Sequence, residues 1–157
     1  MRLPDVLIRR YLIGVGVASG VVTADLLTKR YASVTFEGSP VEILPGLLGF
    51  TYVENSGGAF GFFQDGGTVI GVAALVVTLV VIGSLVAARP TLEVVALGLV
   101  LGGALGNLVD RLARGEGLLD GAVIDWINLW IIPTFNLADA SISVAVGLLL
   151  IQAWRSR

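Results

Sequence analysis

Two carboxylates, Asp125 in VIDWI (123–127) and Asp139 in FNLADA (135–140), lie in stretches that offer them no charged neighbour. No Lys or Arg occurs between Arg114 and Arg155, and residues 140–153 carry no charge. Two carboxylates close together in a poorly solvated place cannot both ionise readily and tend to share one proton. One member of such a pair can take a proton from water while the other protonates the group under attack. The chain has no Cys and no His. That excludes thiol nucleophiles, disulfides, zinc sites built from those ligands and Ser-His-Asp triads. Acid–base work falls to Asp, Glu, Lys or Tyr, and no motif asks for a metal or a cofactor.

Other polar residues fall into register with this pair. Asp25 and Lys29 are spaced to share one helix face, as are Asn107 and Arg111, and Asn107 and Asp110. Asn136 and Asp139 share a face if their helix begins by Pro133 or Thr134. For Asp25, Lys29, Asp110 and Arg111 the simpler reading is structural: opposite charges are at hand to tie a bundle together. Ionisable residues near lipid are nevertheless costly and are functional candidates by default.

The elements that must position these groups are apolar. Of 157 residues only 14% are charged, against about 25% in a soluble domain, and the mean hydropathy is +0.90. Net charge is −2 with no basic cluster, so no nucleic-acid partner is expected. Four apolar segments predict spans at about 11–29, 67–88, 92–111 and 132–154, since about 20 helical residues cross the hydrocarbon layer. Uninterrupted apolar runs lack the alternation of a membrane barrel, so the spans are helical. The N-terminus has basic residues ahead of an apolar run but no clear cleavage site, and reads as a retained first span.

Arg2, Arg9, Arg10, Arg89, Arg155 and Arg157 fall on one side of this arrangement, and Lys29, Arg30, Arg111 and Arg114 on the other. That bias puts both termini in the cytoplasm and the polar cluster at the outer face. The outer region of about 31–65, with Gly38-Ser39-Pro40 and Pro45-Gly46 breaking β-branched stretches, reads as small strands and turns resting on the membrane surface. The expected fold is a membrane all-α bundle of four transmembrane helices with a small extracytoplasmic β-cradle and an outer loop or helix, one domain over 1–157.

GGALGNLVDR (102–111), VIDWI (123–127), FNLADASI (135–142), ENSGGAF (54–60) and ADLLTK (24–29) occur in that family's order in bacterial lipoprotein signal peptidases, which the chain resembles over nearly its whole length. The resemblance implies a membrane aspartic endopeptidase of the bacterial inner membrane that cleaves prolipoproteins just before a diacylglyceryl-modified cysteine. It also implies a partly membrane-lying outer helix. By that likeness Asp125 and Asp139 are the catalytic pair. Asn55, Asn107, Arg111 and Asn136 line the site, Asp25 and Lys29 support it, and Gly57 and Asp110 belong to its motifs. Globomycin is expected to compete for the same site, and a monomer is expected.

Three residues depart from the family pattern: Leu26 for a Gln, Gly58 for an Ala and Trp126 for a Phe. The Arg111-to-Asp125 connection is also longer than the family's, and its Gly-flanked part (about 115–120) is expected to be a mobile outer loop. Two rivals stand beside this reading. A small proton-coupled transporter would spread polar residues through the membrane depth. A non-enzymatic assembly subunit would use Gly98, Gly102, Gly103 and Gly106 against a partner helix, unless those glycines serve contacts inside the bundle.

Overall fold

A computed structural model describes residues 3–57, 66–85, 87 and 90–155. Four helices are long and apolar enough to cross a membrane: α1 (Leu3–Thr35), α2 (Gly67–Leu85), α3 (Thr91–Ala113) and α4 (Leu137–Arg155). Three strands, β1 (Val41–Leu44), β2 (Leu48–Asn55) and β3 (Val123–Asn128), form one antiparallel sheet in the order β1-β2-β3. The chain is a multi-pass membrane bundle with a small β-cradle.

The centre of the bundle is α3. Half of its most apolar window is buried, against 11–22% in the other three helices. Small residues let its neighbours approach. A Cβ at Gly98 would come within 2.7 Å of Gly14 O on α1, and one at Gly103 within 2.7 Å of Ser141 Oγ on α4. Gly102 likewise abuts Ala18 on α1, and Gly106 abuts both Asp25 and Ala138. All four glycines singled out for a partner helix are therefore filled by α1 and α4 of the same chain. Ala18, Val81, Leu85, Val94 and Leu101 close the apolar core around them. The remaining Val and Leu side chains of α2 point outward, as lipid-facing residues do.

Three boundaries differ from expectation. The helix α1 spans Leu3–Thr35 instead of 11–29, about 50 Å at 1.5 Å per residue. Residues 31–35 are helical because Ala32 and Phe36 fall one turn apart on the buried face, where Ala32 is fully covered. The fourth helix starts at Leu137, not near 132. Before it, Trp130 takes a positive φ of 54°, and Phe135 exchanges backbone hydrogen bonds with Ile127 at 3.0 and 2.8 Å. The segment VIDWIN is strand β3. Helices α2 and α3 begin within a residue of the expected 67 and 92. The C-terminal end of the second span and residues 58–65 of the cradle, with Gly58, lie outside the described residues.

A ladder of rings holds the sheet on α1. Tyr31 meets Phe36 edge-on at 5.7 Å, Phe36 meets Phe50 of β2 at 5.6 Å, and Phe50 meets Trp126 of β3 at 5.3 Å. Such pairs each add about 0.5–1.5 kcal/mol beyond the area they bury. The β2–β3 register places Val53 opposite Asp125 and Asn55 opposite Val123, so alternation points Asn55 and Asp125 to the same face.

The long connection 114–122 is pinned, contrary to the mobile loop expected there. No helix forms in it among the described residues. Gly121 N–H donates to Arg111 O at 3.1 Å, and Gly117 N–H donates to the Asp120 carboxylate at 3.0 Å. Leu119, at a positive φ of 64°, is 5% exposed. It rests on Gly71 of α2, where any Cβ would collide with Leu119 O, while a Cβ at Gly67 would come within 2.9 Å of Asp120 O. Two glycines one turn apart thus give the loop a flat seat.

Candidate active site

The C-terminal ends of α1 and α3, the N-terminal end of α4 and the face of β3 meet at one end of the bundle. Asp25, Lys29, Asn55, Gly57, Asn107, Asp110, Arg111, Asp125, Asn136 and Asp139 are joined there by hydrogen bonds and ion pairs. Asn136 is the link between the two carboxylates. Its side-chain Nδ2 donates to Asp125 Oδ1 at 2.7 Å, and its backbone N–H donates to Asp139 Oδ2 at 3.2 Å. Asn136 is not on the helix face with Asp139, as the spacing suggested, but caps the helix. Its Oδ1 accepts from Asp139 N–H at 3.0 Å, so the two form a reciprocal capping box at the start of α4.

Each carboxylate has a second amide donor. Asn55 Nδ2 donates to Asp125 Oδ2 at 2.9 Å, and Asn107 Nδ2 donates to Asp139 Oδ1 at 2.9 Å. The three amides do not turn freely, because each oxygen is held by another donor. Asn55 Oδ1 accepts from Gly57 N–H at 3.1 Å. Asn107 Oδ1 accepts from Lys29 Nζ at 2.8 Å and from Asn136 Nδ2 at 3.1 Å. Among the described residues neither Asp125 nor Asp139 has a cation within ion-pair distance. Their partners are neutral N–H groups, where the sequence had shown none.

The cations are committed elsewhere. Lys29, 1% exposed, bridges Asp25 Oδ2 at 2.6 Å and Asp110 Oδ2 at 2.9 Å. Arg114, whose part in the site the sequence reading missed, pairs with Asp110 at 2.9 Å. Its i,i+4 spacing from Asp110 was the available signal. Asp25 Oδ1 accepts from Ala138 N–H in the first turn of α4 at 3.0 Å, and Asp110 Oδ2 accepts from Ile124 N–H of β3 at 3.4 Å. Two carboxylates and two cations thus balance in the wall of the site, tying α1, α3, α4 and β3 together. The structural ion-pair reading holds for Asp25, Lys29 and Asp110.

It does not hold for Arg111. The guanidinium is buried and donates to three backbone carbonyls: Gly57 O at 2.7 Å, Gly121 O at 3.3 Å and Gly67 O at 3.4 Å. It neither orients Asp110 nor stays free for a ligand carbonyl. It staples the end of β2, the start of α2 and the long loop around the carboxylates. Gly57 thus acts through its backbone, and it lies outside any helix. Asn136, fully covered, and Asn55 spend their amides on Asp125 and its surroundings.

Burial is the main force on Asp125, which is 3% exposed. It pushes the carboxyl up to about 6, against the Asn55 amide, and the negative charge of Asp139 adds to the rise. Tyr52, another titratable group of the cradle, is pushed up to about 12, first by burial and then by its hydrogen bond to Glu54. It stays a neutral phenol. Asp139 remains partly exposed. Among the described residues no cluster of acidic side chains is arranged to hold a metal ion.

A sequence model of the family described as signal peptidase (SPase) II matches residues 17–155. The chain belongs to that family. Relatives described as lipoprotein signal peptidases include one from Symbiobacterium thermophilum, 37% identical and covering 90% of this chain and 93% of its own. Another, from Streptomyces coelicolor, is 39% identical over 94% of this chain and 72% of its own. A bacterial membrane enzyme solved by the in meso method at 2.3 Å superposes with a TM-score of 0.79 at 28% identity, covering 90% of this chain and 87% of the other. This is a membrane peptidase of the signal-cleaving, aspartic kind.

Proposed function

We propose that this peptidase cleaves prolipoproteins on the amino side of a diacylglyceryl-modified cysteine, with Asp125 and Asp139 as its catalytic pair. The observation that carries the reading is the placement of both carboxylates around Asn136, each held by amide N–H groups and, among the described residues, neither paired with a cation. A carboxylate locked to Lys or Arg makes a poor base; one held by amides keeps its basicity and its geometry.

In the proposed reaction a water lies between the pair. Asp139, partly exposed, takes a proton from that water as the water oxygen attacks the scissile carbonyl carbon. Asp125, whose carboxyl burial pushes up to about 6, donates to the carbonyl oxygen. The resulting gem-diol collapses as one hydroxyl returns its proton to Asp125, and Asp139 passes the proton it took to the departing amine. Asn55, Asn107 and Asn136 hold the carboxylates in place.

The substrate reaches the pair from lipid. Among the described residues α2 and α4 both pack on α3 and not appreciably on each other, which supports lateral entry between them. The basic residues at the other end of the bundle support an extracytoplasmic site in the bacterial inner membrane, with both termini cytoplasmic. The reading takes residues 1–157 as one domain acting as a monomer, with globomycin competing at the pair. The polar residues gather at one end, which does not suit a transporter. The test is cleavage of a purified diacylglyceryl prolipoprotein by the purified chain. Cleavage blocked by globomycin is expected; an inert wild type would count against the assignment.

A further inference from the structure

Lys29 does more than neutralise its neighbours. Its ammonium lies within ion-pair distance of Asp25 Oδ2 and Asp110 Oδ2, and makes a third contact by donating to Asn107 Oδ1 at 2.8 Å. The third contact reaches the carboxylate pair, because the other end of the same amide donates to Asp139 Oδ1. An asparagine amide is nearly symmetric in shape and opposite in character at its two ends. Turned over, Asn107 would show Asp139 an acceptor in place of a donor. An N–H facing a carboxylate stabilises the anion, whereas an oxygen facing it accepts a bond only from the protonated acid.

We propose that Lys29 is a positioning residue for peptide hydrolysis: by holding Asn107 Oδ1 it fixes the N–H end of that amide on Asp139, the base of the pair. The inference rests on the reading of Asp125 and Asp139 as the catalytic pair. Asn136 Nδ2 also reaches Asn107 Oδ1, at 3.1 Å, but shares two hydrogens among Asp125, Ile124 O and Asn107. The cationic, shorter contact from Lys29 is the stronger hold. The charged groups at the pair come from four elements: Asp25 and Lys29 from α1, Asp110, Arg111 and Arg114 from α3, Asp125 from β3 and Asp139 from α4. A charge change at Lys29 would therefore act on all of them, and the test must separate charge from orientation.

Two paired variants do so. Asp25→Asn with Lys29→Met and Asp25→Asn with Lys29→Gln remove the same charges and leave Asp110 paired with Arg114. They differ in one respect: Gln keeps an N–H for Asn107 Oδ1 and Met does not. With a diacylglyceryl prolipoprotein as substrate, the Met pair is expected to lose at least about tenfold in kcat with KM little changed, as for an interaction made at the reacting groups. The acid limb of its kcat/KM profile moves up by about one pH unit. The Gln pair recovers most of the kcat and the limb. Equal behaviour of the two pairs, or a change confined to KM, overturns the proposal.

Asn107→Asp supplies a second arm that keeps a partner for Lys29 and so does not depend on the Met pair folding. It removes the N–H toward Asp139 while preserving shape. Loss of kcat is expected, and near-normal turnover would sink the idea; the acid limb is compared only between the Met and Gln pairs, because this variant also sets a negative charge beside Asp139. Asp125→Asn and Asp139→Asn run alongside as controls. If either retains turnover, the pair itself is wrong, whatever Lys29 does.

Discussion

Asn136 and Asp139 cap each other: the backbone N–H of Asn136 donates to Asp139 Oδ2, and Asn136 Oδ1 accepts from the backbone N–H of Asp139. The start of α4 and the placement of the Asp139 carboxylate are thus one piece of geometry. Asn136 performs a second task with its other atom, since Nδ2 holds Asp125.

These tasks can be separated. Asn136→Ser keeps an oxygen able to cap the helix but has no amide for Asp125; Asn136→Ala loses both. The Ala variant should be less stable than the Ser variant by about 1 kcal/mol, the usual worth of a cap. Both should lose turnover by about a hundredfold or more, as expected when acid–base geometry is disturbed. Thermal unfolding in detergent and prolipoprotein cleavage measure the two effects independently.

Replacing either Asp125 or Asp139 by Asn should abolish cleavage while leaving the fold intact. Asp125 also sets a sign for stability. Its folded value of about 6 lies above the 3.8 of an unperturbed Asp, so the folded state binds the extra proton between these values. Stability should fall as pH rises from about 4 to about 6, by at most about 3 kcal/mol. Unfolding followed across that window should show the slope in the wild type and lose it in Asp125→Asn.

Activity should carry the same group on its alkaline side. With Asp125 as the proposed donor, its proton is lost above about pH 6, so kcat/KM should decline there. Asn55 donates to Asp125 and opposes the rise caused by burial. Asn55→Leu should therefore move the alkaline limb to higher pH. A limb that stays in place or moves down would contradict the role assigned to that amide.

Arg111 gives a stability prediction of a different kind. Lysine cannot fork across three carbonyls, so Arg111→Lys should leave some of Gly57, Gly67 and Gly121 O unsatisfied. The expected cost is about 1–3 kcal/mol, with lower turnover because the staple frames the pair. Thermal unfolding and cleavage rates for Arg111→Lys and wild type check it.

Much of this was legible in the sequence, and the exceptions share a cause. The four helices follow from charge-free runs, and the carboxylate pair from the absence of His and Cys. Strand β3 was not legible because its residues Val123, Ile124 and Asp125 are all buried, which erases alternation, and its partner β2 lies far away in sequence. Arg111 was misjudged because backbone carbonyls from three separate places in the chain carry no signature in residue type. The helical stretch 31–35 was hidden by β-branched residues that Ala32 and Phe36 outweigh by packing. The tight loop at 115–120 was misread because its glycines spoke of freedom, whereas they serve close contact with Asp120.

That loop has a consequence for how the chain can vary. Gly→Ala inside a helix ordinarily gains about 1 kcal/mol, and Gly83, with open space around it, should show that gain. Gly71 should show a loss, since a methyl group there strikes the backbone of Leu119. The backbone path at Leu119 therefore reserves position 71 for glycine, whatever side chain stands at 119. Shortening the connection should free position 71 to accept an apolar side chain, while keeping it should not.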